Sequence, residues 1–141
     1  MAFEILVIED NPMDVELVTE ALAAWKTRTS ISVVENGDDA LQYLRASGRF
    51  SAAHRPNLIL LDLNLPKKSG LEVLAEIKGD LELTRIPVIV LTTSDREADV
   101  SEAYTLHANC YMTKPLEITT FFEKFKAMED FWIHQARLPR A

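Results

Sequence analysis

Five apolar runs of strand length alternate with helical patterns along the chain, and nothing else in the sequence limits the fold so tightly. The runs are FEILVI (3–8), ISVV (31–34), LILL (58–61), IPVIVL (86–91) and ANCYM (108–112). Between the first two, NPMDVELVTEALAAWK places Asn11 as an N-cap and Pro12 at the first helical position. Asp14 adds negative charge to the first turn, where the helix dipole favours it. Val15, Val18, Leu22 and Trp25 then share one face. Further helices are predicted over DDALQYLRAS after the Asn36-Gly37 turn, and over GLEVLAEIKGD with Leu71, Leu74 and Ile77 inward. The weakly apolar READVSEAYTL and the segment from 117 to about 134 complete the set. Five strands alternating with five helices imply α/β architecture, a parallel sheet covered on both faces. Right-handed crossovers reduce the possibilities to doubly wound orders, and 2-1-3-4-5 suits five strands. The segment SGRFSAAHRP (47–56) is the longest candidate for disorder.

A length of 141 residues suits one domain, 1–141, with one core. The net charge of −7 argues against a nucleic-acid surface and against an anionic membrane. No stretch approaches the roughly 20 apolar residues of a membrane helix. The opening MAFEILVIED has no basic region and reads as a strand instead of a signal peptide. Ala2 stands where myristoylation needs Gly. Cys110 is the only cysteine, so no intrachain disulfide can form, and inside a strand it reads as inert. The expected location is the cytoplasm.

In open α/β sheets, ligands sit beyond the carboxyl ends of the strands. The first strand delivers Glu9 and Asp10 there, the third Asp62 and Asn64, the fourth Thr92, Thr93 and Ser94, and the fifth Lys114 and Pro115. Singly, each has an ordinary reading as a cap, turn or solvated loop residue. Together they do not. Three converging carboxylates repel one another, and a divalent cation removes the penalty. Oxygen ligands without His or Cys suit Mg²⁺ or Mn²⁺. A metal, the Lys114 ammonium and the Thr92 hydroxyl around one carboxylate make a site for a phosphoryl group, with Asp62 as a nucleophile able to form an aspartyl phosphate.

VIEDN, LLDLNLPKKSG, VLTTS and YMTKP resemble the receiver domain of two-component response regulators, a flavodoxin-like fold. The resemblance runs over roughly residues 3 to 128. It implies that Asp62 is the phosphoacceptor and that Asp10 binds Mg²⁺ directly, Glu9 through water. Asn64 would offer the metal its backbone carbonyl. Thr92 and Lys114 would hold the phosphoryl oxygens, Tyr111 would be the switch aromatic, and Pro115 would follow a cis peptide. LHANCYMTKP and FKAMEDFWIHQARLP are similar to the small regulators that partner phytochrome-type histidine kinases, which implies such a kinase as donor. His107 departs from the receiver pattern, which has Gly before the fifth strand. A positive φ there would strain His107.

The expected protein is therefore a single-domain response regulator with an extended C-terminal helix and no output domain. It would be no enzyme beyond assisting its own phosphorylation and dephosphorylation, and its output would pass to an unidentified downstream protein. Phe121, Phe122, Phe125, Met128, Phe131 and Trp132 spread over more than one helical stripe. Phe121, Phe122, Phe125, Phe131 and Trp132 are accordingly expected in a homodimer interface. A phosphorelay shuttle is a variant of the same chemistry. Two rivals are weaker. A metal-dependent phosphohydrolase would carry its Asp nucleophile on the first strand with a second Asp two residues on. A flavin carrier would need a Ser-, Thr- or Gly-rich phosphate loop where the acidic EDNPMD stands.

Overall fold

A computed structural model describes residues 2–139. Its elements are β1 (Phe3–Ile8), α1 (Pro12–Ala23), β2 (Thr29–Val34), α2 (Gly37–Leu44), β3 (Leu58–Leu61), α3 (Gly70–Gly79), β4 (Val88–Thr92), α4 (Glu97–Thr105), β5 (Cys110–Thr113) and α5 (Ile118–Glu129). The sheet runs β2-β1-β3-β4-β5, every neighbouring pair parallel. This is the order expected from the sequence.

Strand periodicity divides the core in two. Leu6 and Ile8 of β1, Ile59 and Leu61 of β3, and Val88 and Val90 of β4 pack with Leu41, Val73, Leu74, Ile77 and Ala103 of α2, α3 and α4. Their alternates, Ile5, Val7, Leu58, Leu60, Ile89 and Leu91, pack with Val18, Leu22, Phe121 and Phe125 of α1 and α5. Side chains on a strand alternate faces, so a strand buried on both must be continuously apolar. That is why β3 reads Leu-Ile-Leu-Leu.

Helix starts follow their caps. Asn11 Oδ1 accepts the N–H groups of Met13 and Asp14 at 3.0 and 3.2 Å. Ser69 and Glu72 form a reciprocal capping box at α3. The first residue of α3 touches the backbone after β3 so closely that only glycine fits. Gly70 N–H donates to Leu63 O at 2.9 Å, and a Cβ at Gly70 would lie 2.3 Å from the Asp62 carbonyl oxygen.

Three expectations need correction. The segment 47–56 is structured: Gly48–Phe50 form a 3-10 turn, Arg49 pairs with Asp39 at 2.6 Å, and Phe50 packs edge-on against Tyr43. Phe121 and Phe125 belong to the core, stacked 4.8 Å apart and almost fully buried. They and Met128 lie at i, i+4 and i+7, one stripe facing the sheet. Neither can be an interface residue. Phe122 and Trp132 are half-buried, and Phe131 is exposed on a wider, π-type turn at Asp130–Gln135 that follows α5. Finally, the described residues contain no cis peptide bond, so Lys114–Pro115 is trans. Proline only narrows the trans preference and does not reverse it, so the dipeptide alone carries no such information. His107 does adopt a positive φ, 71°, the strained conformation anticipated for it.

Candidate functional site

The site is assembled at the carboxyl ends of β1, β3, β4 and β5, and the sheet ladder reaches one residue past three of them. Glu9 N–H donates to Val34 O, Asp62 N–H to Ile8 O and Lys114 N–H to Thr92 O, at 3.0, 3.0 and 2.7 Å. These bonds fix the backbone of residues that already lie beyond the apolar runs. Among the described residues only Glu9, Asp62, Thr92, Lys114 and Glu129 are buried polar or charged ones, and four of the five are here.

Lys114 is the hub. Its ammonium donates to Glu9 Oε1, to Asp14 Oδ2 at 2.9 Å and to Asp62 Oδ2 at 3.2 Å. Burial pushes this lysine down, but the hydrogen bonds to Glu9 and Asp14 and the charges of Asp62 and Glu9 outweigh it, so the ammonium is held above its usual range. Burial likewise pushes Asp62 up. The hydrogen bond with Glu9, the Lys114 charge, the Thr92 hydroxyl and the Asn64 N–H prevail, so Asp62 lies below the usual carboxylate range. Glu9 goes the other way. Burial and its hydrogen bond with Asp62 push it up to about 7. Of the two neighbouring acids, Asp62 is therefore the one whose ionised form is favoured.

Carboxylate oxygens of Glu9, Asp10 and Asp62 lie within 4.8 Å of one another. Asp10 is exposed at the mouth, the other two are buried. The residues fit a divalent cation: all donors are oxygens, and the one Lys114 ammonium faces three carboxyl groups, Glu9, Asp14 and Asp62. Asn64 is also exposed at the mouth, its N–H donating to Asp62 Oδ1 at 3.3 Å.

Thr92 and Tyr111 are linked through Ser94, which the sequence places at the strand end without this role. Ser94 N–H approaches Thr92 Oγ1 at 3.5 Å, and Tyr111 Oη donates to Ser94 O at 2.8 Å. Ser94 Oγ in turn donates to Asp99 Oδ2 of α4 at 2.5 Å. The sequence also gave no site role to Asp14, read there only as a dipole partner. The available signal was spacing: Asp14 stands four residues after Asp10, one helical turn from the site. Pro115 and Tyr111 are half-buried beside the pocket, and the revised aromatic set of Phe122, Phe131 and Trp132 lies away from it on α5 and the following turn.

The chain matches the response regulator receiver domain over residues 5–126. It belongs to that family. The match covers the four strand ends just described, and the phosphohydrolase and flavin-carrier readings fall away with it. Among its relatives, response regulator Rcp1 of Synechocystis sp. is 46% identical over 137 residues, covering 97% of this chain and 93% of Rcp1. The crystal structure of the phosphorylated cyanobacterial phytochrome response regulator RcpA superposes with a TM-score of 0.95 at 48% identity, covering 99% of this chain and 100% of RcpA. The Mn²⁺-bound form of Rcp1 gives 0.92 at 45% identity, covering 97% and 99%. This receiver domain is thus a response regulator whose acidic cluster suits a divalent metal. No described helix is long and apolar enough to cross a membrane.

Proposed function

We propose that this receiver accepts a phosphoryl group on Asp62 from a histidine kinase of the phytochrome type and relays the change to a protein surface. The observation that carries the chemistry is the buried Asp62 with the Lys114 ammonium 3.2 Å from its Oδ2. Asp62 attacks the phosphorus of a phosphohistidine, the new P–O bond forms as P–N breaks, and the imidazole leaves. Little covalent help is needed, and charge neutralisation matters most. A divalent cation held by Glu9, Asp10, Asp62 and the Asn64 carbonyl would supply part of that neutralisation when bound. Lys114 supplies the rest, and the Thr92 hydroxyl orients a phosphoryl oxygen. The same groups would assist both phosphorylation and hydrolysis.

The Ser94 tie supports Thr92 and Tyr111 as the switch. Drawing Thr92 Oγ1 toward a phosphoryl oxygen strains its contact with Ser94 N–H, and Tyr111 hangs on the carbonyl of that same residue. The likeness to RcpA and Rcp1 supports a phytochrome donor, and a kinase of that class suits a cytoplasmic protein with one half-buried cysteine. Incubation with acetyl phosphate and Mg²⁺ should add one base-labile phosphate by intact mass. Undiminished labelling of Asp62→Asn would falsify the assignment.

A second copy of the chain is the partner we assign to the groove between β5 and α5, lined by Met112, Met128, Phe131 and Trp132. The groove is apolar, and a two-fold axis lets such a patch cover itself. Phe131→Ser should lower the solution mass of the wild type from dimer to monomer with little change in melting temperature. A monomeric wild type, with or without beryllofluoride, sinks this part of the reading.

A further inference from the structure

Four helices of this fold carry an acid at the third helical position, Asp14, Asp39, Glu72 and Asp99, and α3 and α1 use theirs differently. At α3, Glu72 turns back and accepts the N–H of its own cap, Ser69, at 3.3 Å. That is the ordinary use of such an acid. At α1 the equivalent residue is Asp14, and its cap, Asn11, donates its N–H to Glu9 Oε2 at 3.3 Å instead. The Asp14 carboxylate is left free of its own helix and reaches across to Lys114 at 2.9 Å.

An ammonium has three N–H donors. Lys114 directs them at three carboxylates, Glu9, Asp14 and Asp62, and its distance to Asp62 exceeds that to Asp14. On the reading above, Asp62 becomes esterified and Glu9 turns toward a cation. Asp14 is then the one carboxylate partner with no other duty. It is also the most accessible of the three, its side chain 32% exposed, so it stays solvated while the others are engaged.

We propose that Asp14 is a positioning residue for Lys114, holding the ammonium over the phosphoryl site when Asp62 and Glu9 have been claimed by the phosphoryl group and the metal. The inference rests on the phosphoryl-acceptor reading. Two of the lysine's donors are fixed by Glu9 and Asp14 before the reaction, and the third is aimed at the reacting oxygen. Afterwards Asp14 keeps the lysine from relaxing into solvent.

The test compares Asp14→Asn with Asp14→Glu and with Glu16→Gln, which removes the same charge from an exposed position of α1. Beryllofluoride serves as the phosphoryl mimic at saturating Mg²⁺, and Mg²⁺ is titrated alone in parallel, both followed by the amide NMR signals of Thr92 and Lys114. Loss of a charge-assisted hydrogen bond should weaken beryllofluoride binding about tenfold in Asp14→Asn relative to Glu16→Gln. Mg²⁺ binding alone should weaken by less than about threefold, as for a largely solvated charge. Asp14→Glu should recover most of the lost affinity, and labelling by acetyl phosphate should follow the same order. Asp14→Asn within about twofold of Glu16→Gln for beryllofluoride overturns the proposal. So does equal weakening of Mg²⁺ and beryllofluoride, or no recovery by Asp14→Glu. A wild type that is never labelled removes the acceptor reading, and this one with it. A labelled wild type with an indifferent Asp14 removes this one alone.

Discussion

Glu9 and Glu129 are both nearly inaccessible to solvent, 3% and 2% exposed, and they lie in opposite electrostatic situations. At the end of α5, Glu129 Oε2 accepts the Thr27 N–H at 2.9 Å. Burial pushes its carboxyl up, but the Thr27 and Lys26 backbone, the Thr27 hydroxyl and the Lys126 charge outweigh burial and hold it low. At the end of β1, Glu9 shares one lysine with Asp14 and Asp62 and is pushed up to about 7. A buried carboxylate with donors of its own ties down a loop. One that competes for a donor is poised to exchange its proton for another cation. Burial pushes both carboxyls up; what separates them is the company, donors of its own for Glu129 and a second acid, Asp62, for Glu9.

The contrast predicts that the two glutamates fail in different assays. Glu9→Gln should weaken Mg²⁺ or Mn²⁺ binding by roughly a hundredfold, or about 3 kcal/mol, since a carboxylate beside the ion is lost. Its melting temperature should hold or rise, because a repulsive neighbour of Asp62 is gone; a fall of many degrees would merge the two classes. Glu129→Ala leaves the Thr27 N–H without its acceptor and should cost about 1–3 kcal/mol of stability by urea unfolding. Metal affinity should not move in that variant.

The smallest effect is the pH dependence of the second site, read by comparing wild type with Glu129→Gln. Glutamine keeps an oxygen acceptor but cannot ionise. The folded pKa of Glu129 lies below its ordinary value of 4.5, so the stability it adds is fully present above that value and lost as pH falls through the folded pKa. The gap between the two proteins should be constant near neutrality and close under acid. A gap that widens under acid reverses the sign and the argument.

How much of this was legible in the sequence depended on the kind of information each feature needs. The strands and their order follow from apolar runs and turn signals, which act locally. Asp62, Lys114, Glu9, Asp10 and Thr92 were legible because each ends its strand or follows within two residues, and a parallel sheet must bring such positions together. Asp14 was not, since its partner lies 100 residues away and the helix start gave it a sufficient local role. The aromatic residues of α5 were too many for the eye. Only the i, i+4, i+7 spacing of Phe121, Phe125 and Met128 separates what packs on the sheet from what does not. The segment 47–56 looked unstructured because its order comes from a cation over an aromatic ring, Arg49 on Phe50 at 4.6 Å, and from a salt bridge back to α2.

Gly70 gives this molecule a joint without clearance. With 2.3 Å between an added Cβ and the Asp62 carbonyl oxygen, the first turn of α3 rests on the very backbone that carries the acceptor side chain. The Gly70 N–H is tied to Leu63 O at 2.9 Å, so neither part can slip past the other. In mechanical terms the loop after β3 and the first turn of α3 form one rigid piece. The far end is different: at Gly79 a Cβ would meet nothing within 4 Å. One end of α3 tolerates no added atom and the other is open, so substitutions at the two glycines differ sharply in cost although both belong to one helix.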